Sequence, residues 1–260
     1  MTRLVIVGGG RMGEALVAGL LDGGWSDASD LAVAEAVAPR RDYLAERFPG
    51  IEVTDRPVAA DGAVLAVKPA DVTAACEALK GVGRVLSIAA GVPLSSLEAA
   101  LEPGTAVVRA MPNTPALVGA GAAAIAAGSA AGPDDLAWAE SILAAVGTVV
   151  QVPEAALDAV TGLSGSGPAY VFLVAEALVE AGVLNGLSRD VSVELASQTL
   201  LGAGRMLVES GQSAAELRAN VTSPGGTTAA GLRVLEQRAV RAAVLDAVTA
   251  ATERSRELGR

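Results

Sequence analysis

The chain contains no histidine, a single cysteine, Cys76, and only two lysines, Lys68 and Lys80. The lack of histidine excludes Ser-His-Asp hydrolysis, Cys-His chemistry and any histidine acting as an acid or base. Metal cages built from cysteine and histidine are excluded too, so we expect no metal site. One cysteine cannot form an intrachain disulfide, and nothing indicates an oxidising compartment.

Aromatic residues make up only 2% of the chain, although 52% of its residues are hydrophobic. The core must therefore be built from alanine, valine and leucine, which suits closely packed helices and tight subunit interfaces. The formal net charge is −10, and duplex binding needs clustered cations, so we expect no nucleic-acid partner. The apolar run 4–7 is too short for a signal-peptide core, and the stretch 116–132 is interrupted by glycines and Ser129, so it is not typical of a membrane span. We expect a soluble cytoplasmic protein without a membrane partner.

The length of 260 residues favours two domains. Over residues 3–110, short apolar runs alternate with helical stretches, which predicts a parallel sheet covered by helices on both faces. The predicted strands are 4–7, 31–34, 63–67, 85–89, 106–108, 122–126 and 148–152.

After Pro153 the pattern becomes helical. Long helices are predicted over 169–182, 189–210 and 238–258, with Gly182, Gly211 and Gly259 as C-terminal stops. We therefore predict an α/β protein with an N-terminal Rossmann-type, doubly wound sheet over 1–153, followed by an all-α domain over 154–260.

The segment Val7–Leu16 fits the pattern G-x-G-x-x-G between a strand and a helix. Gly8 would make the tight turn, Gly10 would let the backbone reach a pyrophosphate, and Gly13 would let the helix pack on the strand. Arg11 and Met12 complete the loop at the helix N-terminus, which carries a partial positive charge. The position of this loop at the first strand indicates a dinucleotide site.

Glu35 ends the second predicted strand, 22 positions after Gly13. An acid at this position usually accepts the ribose hydroxyls of the coenzyme, which favours NADH. Arg40 and Arg41 follow closely and would instead grip the 2′-phosphate of NADPH. The sequence leaves the choice between NADPH and NADH open.

Further loops end predicted strands at the ligand-binding edge of the sheet. Val67, Lys68 and Pro69 form one such end, Ala89 another, and Met111, Pro112 and Asn113 a third. These residues are expected to contact the coenzyme near its nicotinamide.

Two loops in the helical region, 162–170 and 221–228, bring small residues, hydroxyls and backbone amides to helix starts. Such starts bind anions and suit a substrate carboxylate. Ordinary capping by serine and threonine is the alternative interpretation for either loop alone.

At these motifs the chain closely resembles the pyrroline-5-carboxylate reductases over nearly its whole length. The resemblance rests on the glycine loop and on four further segments: 66–69, 111–115, 163–170 and 223–228. It implies a Rossmann domain, a helical dimerisation domain interleaved with that of a partner subunit, and a homodimer that often assembles further into a decamer. It also implies reduction of 1-pyrroline-5-carboxylate to L-proline by NAD(P)H, the last step of proline biosynthesis.

By this resemblance the substrate, a cyclic imino acid, is bound by Ser164, Ser223, Gly226, Thr227 and Thr228. Thr228 matches the position of the hydroxyl near the ring nitrogen and is the expected catalytic residue. The chain departs from the family pattern at Glu35-Ala36, where members often carry a polar-basic pair. This departure puts the preference for NADPH in doubt, but not the reaction.

The composition agrees with an imine substrate. A ketone needs an acid to protonate its oxygen, whereas a cyclic imine can enter already protonated, so positioning and one hydroxyl suffice. Two alternatives stay open: a β-hydroxyacid dehydrogenase-like enzyme or other imine reductase, and a non-catalytic dinucleotide sensor. The former resembles its relatives through a lysine in the helical domain, which this chain lacks.

Overall fold

Eight strands form one sheet in the computed structural model, which describes residues 2–259. They are Thr2–Val7 (β1), Leu31–Ala34 (β2), Glu52–Thr54 (β3), Ala60–Leu65 (β4), Arg84–Ser87 (β5), Ala106–Met111 (β6), Gly121–Ala127 (β7) and Gly147–Gln151 (β8). Their order across the sheet is β3-β2-β1-β4-β5-β6-β7-β8. The chain leaves β1 in one direction towards β2 and returns to the other side with β4. This reversal marks the position where doubly wound sheets bind their ligands.

All neighbouring strands are parallel except β6 and β7, which run antiparallel. The sequence predicts every strand except β3, a three-residue edge strand that is too short and too exposed to leave an apolar run. The Rossmann-type doubly wound sheet is confirmed.

The helices of this part are Arg11–Asp22 (α1), Ala38–Arg47 (α2), Val72–Ala78 (α3), Leu94–Ala100 (α4), Pro133–Leu143 (α5) and Leu157–Val160 (α6). They cover both faces of the sheet. Leu4 and Ile6 of β1 belong to one buried cluster, whereas Val5 and Val7 belong to a second cluster on the opposite face. The strand is apolar throughout because neither of its faces meets solvent.

After β8 the described chain contains helices and no further strand, as predicted. Beyond α6 these helices are Gly167–Leu184 (α7), Arg189–Glu209 (α8), Ala214–Asn220 (α9), Thr227–Gln237 (α10) and Val240–Leu258 (α11).

Gly182 does not end α7, contrary to the prediction. It lies inside the helix, and a Cβ atom there would lie 2.6 Å from Ser192 Oγ of α8. Glycine at this position therefore lets α7 and α8 approach closely. The turn comes later, at Gly186, whose φ is +96°.

The described chain divides into two compact units. The sheet unit contains the residues up to Ser166 together with those from Thr249 onward, and the helical unit contains Gly167–Val248. The predicted domain boundary between residues 153 and 154 stays a prediction.

Candidate active site

The glycine loop joins β1 to α1 at the edge where the carboxyl ends of the parallel strands meet. Gly8 has a φ of +106°, a conformation that residues with a side chain rarely adopt. A Cβ atom at Gly8 would also lie 2.6 Å from the carbonyl oxygen of Ala66, which follows β4. The turn and the close approach both require glycine at this position.

Gly10 and Gly13 differ in the space around them. A Cβ atom at Gly13 would collide with the carbonyl oxygen of Gly8, so this glycine lets α1 pack against the loop. Nothing lies within 4 Å of the Cβ position of Gly10, and no side chain among residues 2–259 caps the start of α1 at Arg11. Open space beside uncapped amides fits a pyrophosphate.

Glu35 follows directly after β2, and its carboxylate is held against the glycine loop. Its Oε2 accepts the N–H of Gly9 at 2.9 Å, and its Oε1 accepts the N–H of Val37 at 2.8 Å. These two bonds fix a negative charge beside the loop, at the position where an acid meets the coenzyme ribose in this fold.

Two arginines of α2 are bound to the same region. Arg40 donates from Nε to the Gly9 carbonyl oxygen at 2.6 Å and forms an ion pair with Glu14 of α1. Arg41 donates to two carbonyl oxygens, those of Glu35 at 2.9 Å and Ala36 at 2.8 Å. Both guanidinium groups therefore already have partners in the protein.

Glu14 is the acidic centre of this arrangement. Burial alone would raise its pKa, but hydrogen bonds from Arg40 and Tyr43 and the positive charges of Arg40 and Arg47 outweigh burial. The pKa of Glu14 therefore lies below its ordinary value, and the carboxylate stays charged at neutral pH.

The other residues predicted to bind the coenzyme lie beyond the carboxyl ends of β4, β5 and β6. Lys68 and Pro69 are exposed, and Pro69 begins a short 3₁₀ turn. Ala89 is buried two residues after β5. Since β4, β5 and β6 are parallel neighbours, their ends meet at the edge that carries the glycine loop.

Asn113, just after β6, is buried, and its side-chain amide links two segments. Its Oδ1 accepts the N–H of Ala122 at 2.8 Å, and its Nδ2 donates to the carbonyl oxygen of Ser164 at 3.0 Å. Ser164 lies in a π-helical turn, Thr161–Gly165. The next residue, Ser166, closes this turn by donating its N–H to Thr161 O at 2.8 Å. π-Helical turns are frequent at functional sites.

In the helical unit, a tight loop leads into α10. Gly226 donates its N–H to Ser223 O at 3.0 Å, and Gly225 has a φ of +70°. Thr227 and Thr228 form the first two positions of α10, whose start at Gly226 has no side-chain cap. The backbone amides of Thr227 and Thr228 are therefore available to an anion, whereas that of Gly226 is used within the loop.

The structure brings the residues predicted to bind the coenzyme into one unit, and Ser164 with them. The helical unit holds the four remaining predicted residues. The first group is Gly8, Gly10, Arg11, Met12, Gly13, Glu35, Val67, Lys68, Pro69, Ala89, Met111, Pro112, Asn113 and Ser164, and the second is Ser223, Gly226, Thr227 and Thr228.

Sequence reasoning missed the partners that hold these residues. The bonds of Gly9 to Glu35 and Arg40 join positions 26 and 31 residues apart, and the bond of Asn113 to Ser164 spans 51 residues. No local pattern carries such pairings, because they arise only when the strand ends are brought together.

Two family models match the chain. One, described as pyrroline-5-carboxylate reductase dimerisation, matches residues 154–258. The other, described as NADP oxidoreductase, coenzyme F420-dependent, matches residues 3–91. Together they reproduce the order of a dinucleotide-binding part followed by a helical part.

Curated relatives match the whole chain. The pyrroline-5-carboxylate reductase of Mycobacterium tuberculosis is 46% identical, over 99% of this chain and 97% of its own length. That of Synechocystis sp. is also 46% identical, over 99% of this chain and 98% of its own length. Identity at this level over full length establishes a common family.

Solved structures agree with these relatives. A pyrroline-5-carboxylate reductase from Coxiella burnetii has a TM-score of 0.94 at 39% identity and covers 100% of this chain and 99% of its own. The Plasmodium falciparum pyrroline carboxylate reductase, solved with NADP bound, has a TM-score of 0.85 at 31% identity, over 100% and 98% of the two chains. The chain belongs to the pyrroline-5-carboxylate reductase family and is an NAD(P)H-dependent oxidoreductase that reduces 1-pyrroline-5-carboxylate to L-proline.

Proposed function

We propose that this reaction is divided between two groups of residues. The glycine loop, from Gly8 to Gly13, holds the pyrophosphate, and the loops after β4, β5 and β6 hold the rest of the coenzyme. Ser164 and the turn from Ser223 to Thr228 hold the cyclic imino acid. The observation that carries the proposal is that α1 and α10 both begin at a glycine, Gly10 and Gly226, so no N-cap side chain covers the first amides of either helix.

Each helix start suits one anion. The backbone amides at the start of α1 meet the pyrophosphate, and those at the start of α10 meet the substrate carboxylate. The bound nicotinamide supplies the hydride that reduces the C=N bond. Because the imine nitrogen can enter already protonated, the protein needs to orient two reactants rather than to donate a proton. Orientation of bound reactants contributes about 7–11 kcal/mol to a barrier of this kind.

Thr228 is the proposed catalytic residue, since its hydroxyl lies in the first turn of α10 and would meet the ring nitrogen. Thr228→Ala should lower kcat/KM for 1-pyrroline-5-carboxylate by about 10- to 100-fold, the usual effect of losing a hydrogen bond to a charged group. Thr228→Ser keeps the hydroxyl and is expected to keep most of the activity. Steady-state kinetics with both variants tests the role, and wild-type turnover by Thr228→Ala would disprove it.

Glu35 is proposed to disfavour NADPH. Its carboxylate is fixed by the N–H groups of Gly9 and Val37, so it cannot easily turn away from the negative 2′-phosphate. Arg40 and Arg41, the alternative ligands of that phosphate, are occupied by protein carbonyl oxygens.

The test for Glu35 is the ratio of kcat/KM with NADPH to kcat/KM with NADH. Glu35→Ala should raise this ratio by about tenfold, because removal of a like charge favours the phosphate. The ratio separates the charge effect from any loosening of the loop, which lowers both values together. An unchanged ratio would rule out the proposed role of Glu35.

The chain oligomerises through its dimerisation region, residues 154–258. We propose a homodimer, with further assembly into a decamer as the open alternative, in the cytoplasm and without nucleic-acid or membrane partners. One helical stretch, Glu154–Leu184, is long and apolar enough to cross a membrane. It lies within the dimerisation region, so we assign its exposed apolar face to subunit contacts. Sedimentation at micromolar concentration distinguishes dimer from decamer, and recovery in the membrane fraction would overturn this assignment.

A further inference from the structure

Asn113 occupies a position where asparagine usually caps a helix, yet it does something else. It is the residue before the 3₁₀ turn Thr114–Val118, and its side chain makes no capping hydrogen bond to that turn. An asparagine at such a position normally bonds the amides of the turn. Here both polar atoms of the side chain point to other segments, to Ala122 and to Ser164.

The Ser164 carbonyl oxygen lacks its α-helical donor. In a regular α-helix, the N–H four residues later would bond it, but that residue is Pro168, which has no N–H. Asn113 Nδ2 donates to this oxygen at 3.0 Å and supplies the missing bond. Because Asn113 is only 9% exposed, water does not readily replace the amide.

The contact between the two segments is tight beyond this one bond. A Cβ atom at Gly165 would lie 2.7 Å from Met111 Cε, so the π-helical turn packs directly on the end of β6. The Ser164 hydroxyl is itself turned inward and donates to Val160 O at 3.1 Å. The loop that carries Met111 and Asn113 therefore fixes the position of the turn that carries Ser164.

We propose that Asn113 is a positioning residue for hydride transfer. Its amide holds the turn Thr161–Gly165 at a fixed place relative to residues 111–113, which are expected to lie near the nicotinamide. The proposal rests on the proposed function, in which these loops orient coenzyme and substrate. Misplacement of a reactant by about 1 Å costs on the order of 100-fold in rate. Loss of the bond therefore affects turnover more than coenzyme affinity.

Asn113→Asp tests the proposal with almost no change of shape. The introduced carboxylate still accepts the N–H of Ala122 but places a second acceptor against the Ser164 carbonyl oxygen. At pH 8 we expect kcat/KM for 1-pyrroline-5-carboxylate to fall by about 10- to 100-fold relative to wild type. The Kd of NAD(P)H, measured by nicotinamide fluorescence without substrate, is expected to rise by a much smaller factor than kcat/KM falls, and retained binding also reports that the sheet unit is folded.

The pH dependence supplies a signature that a general loss of stability would not give. A buried carboxyl beside a carbonyl oxygen has a raised pKa, and once protonated it donates as the amide did. The ratio of variant to wild-type kcat/KM should therefore rise as the pH is lowered towards about 5.5. Asn185→Asp is the matched control, because Asn185 Nδ2 also donates to a carbonyl oxygen, that of Ala181 at 2.8 Å, but is exposed. It should match wild type at every pH.

Three results would overturn the proposal: wild-type kcat/KM for Asn113→Asp at pH 8, a deficit independent of pH, or a rise in the Kd of NAD(P)H as large as the loss of kcat/KM. The last would make Asn113 a direct coenzyme ligand. Ser164→Ala separates this proposal from the substrate role of Ser164. If that variant keeps the wild-type KM while Asn113→Asp shows the pH-dependent loss, the substrate role of Ser164 fails and the positioning role stands.

Discussion

The sheet unit and the helical unit differ most in how much of their apolar surface each one buries by itself. In the sheet unit, strand residues such as Leu4, Val33 and Leu86 are completely buried. In the helical unit, all of whose residues the structure describes, only Ser192 and Ala196 are buried. The first unit has a core of its own, whereas the second consists of helices that lack one.

The exposed surface of the helical unit is strongly apolar. On α7, Phe172 is 62% exposed and Leu173 is 65% exposed. A soluble chain rarely leaves so much apolar surface in water unless another protein covers it. Residues 154–258 match a model described as pyrroline-5-carboxylate reductase dimerisation, so we expect a second subunit to cover this surface. The sheet unit therefore folds around its own core, whereas we expect the helical unit to share a core with a second subunit.

The largest expected effect comes from the core of the sheet. Leu86 is completely buried in β5, so Leu86→Ala should lower the free energy of unfolding of the sheet unit by about 2–5 kcal/mol. Because this core lies within one chain, the loss should be the same at every protein concentration. Urea unfolding of the full chain over a range of concentrations measures it. A loss that grows on dilution would contradict the independence of the sheet unit.

A smaller effect is expected from a charge on the shared surface. Leu173→Glu should weaken subunit association by at least about tenfold, since a carboxylate would have to be desolvated in the interface. Val118→Glu is the matched control, because Val118 is 80% exposed in the sheet unit, outside the dimerisation region. Sedimentation velocity compares the two variants. Equal dimer fractions of the two variants would contradict the distinction between the units. A well-folded monomer of Leu173→Glu would contradict it too, because the helical unit would then be stable without a second subunit.

The smallest expected effect is on the stability of the fold at acidic pH. The pKa of Glu14 in the folded chain lies below its ordinary value, so ionisation of Glu14 stabilises the fold above about pH 4.3, the pKa of an unfolded glutamate. This contribution is lost as the pH falls through the lowered pKa. Glu14→Gln should remove it, with a change in stability below about 1 kcal/mol.

The matched control for Glu14 lies in the helical unit. Glu209 pairs with Arg205 at 2.8 Å, but both side chains are well exposed. Glu209→Gln removes only an exposed ion pair, so it should change the free energy of unfolding at pH 7 by less than Glu14→Gln does. If Glu14→Gln leaves the dependence of stability on pH between about 5 and 3 as it is in wild type, the arginines around Glu14 do not stabilise the sheet unit.

The sequence predicts most of the sheet because buried parallel strands are apolar throughout, as in 4–7 and 31–34. It also predicts the glycine loop, because the positive φ at Gly8 is a local backbone conformation that calls for glycine. The edge strand β3 escapes prediction, being three residues long. The prediction that Gly182 ends a helix is wrong because glycine is needed there for another reason. Ser192, which belongs to a second helix, lies too close to leave room for a side chain.

The site is less predictable than the fold for the same reason. A sequence motif shows where a hydroxyl or an amide lies along the chain, but it does not show which group that side chain bonds in the folded protein. Asn113 is read from the sequence as a loop residue near the coenzyme, yet its bonds reach Ala122 and Ser164. The π-helical turn at Thr161–Gly165 leaves no periodic signal, since five residues are too few to reveal a change of helical pitch.

The segment from Thr249 onward affects the order in which parts of the chain can fold during translation. It packs with the sheet unit although it follows the helical unit in sequence, and Ser255 within it donates to Asp158 Oδ1 at 2.6 Å. During translation, the sheet can collapse early, but its last contacts wait until the ribosome has released residues 249–259. A nascent chain paused in α10 would carry a nearly finished nucleotide-binding sheet and a helical unit with no subunit to cover it.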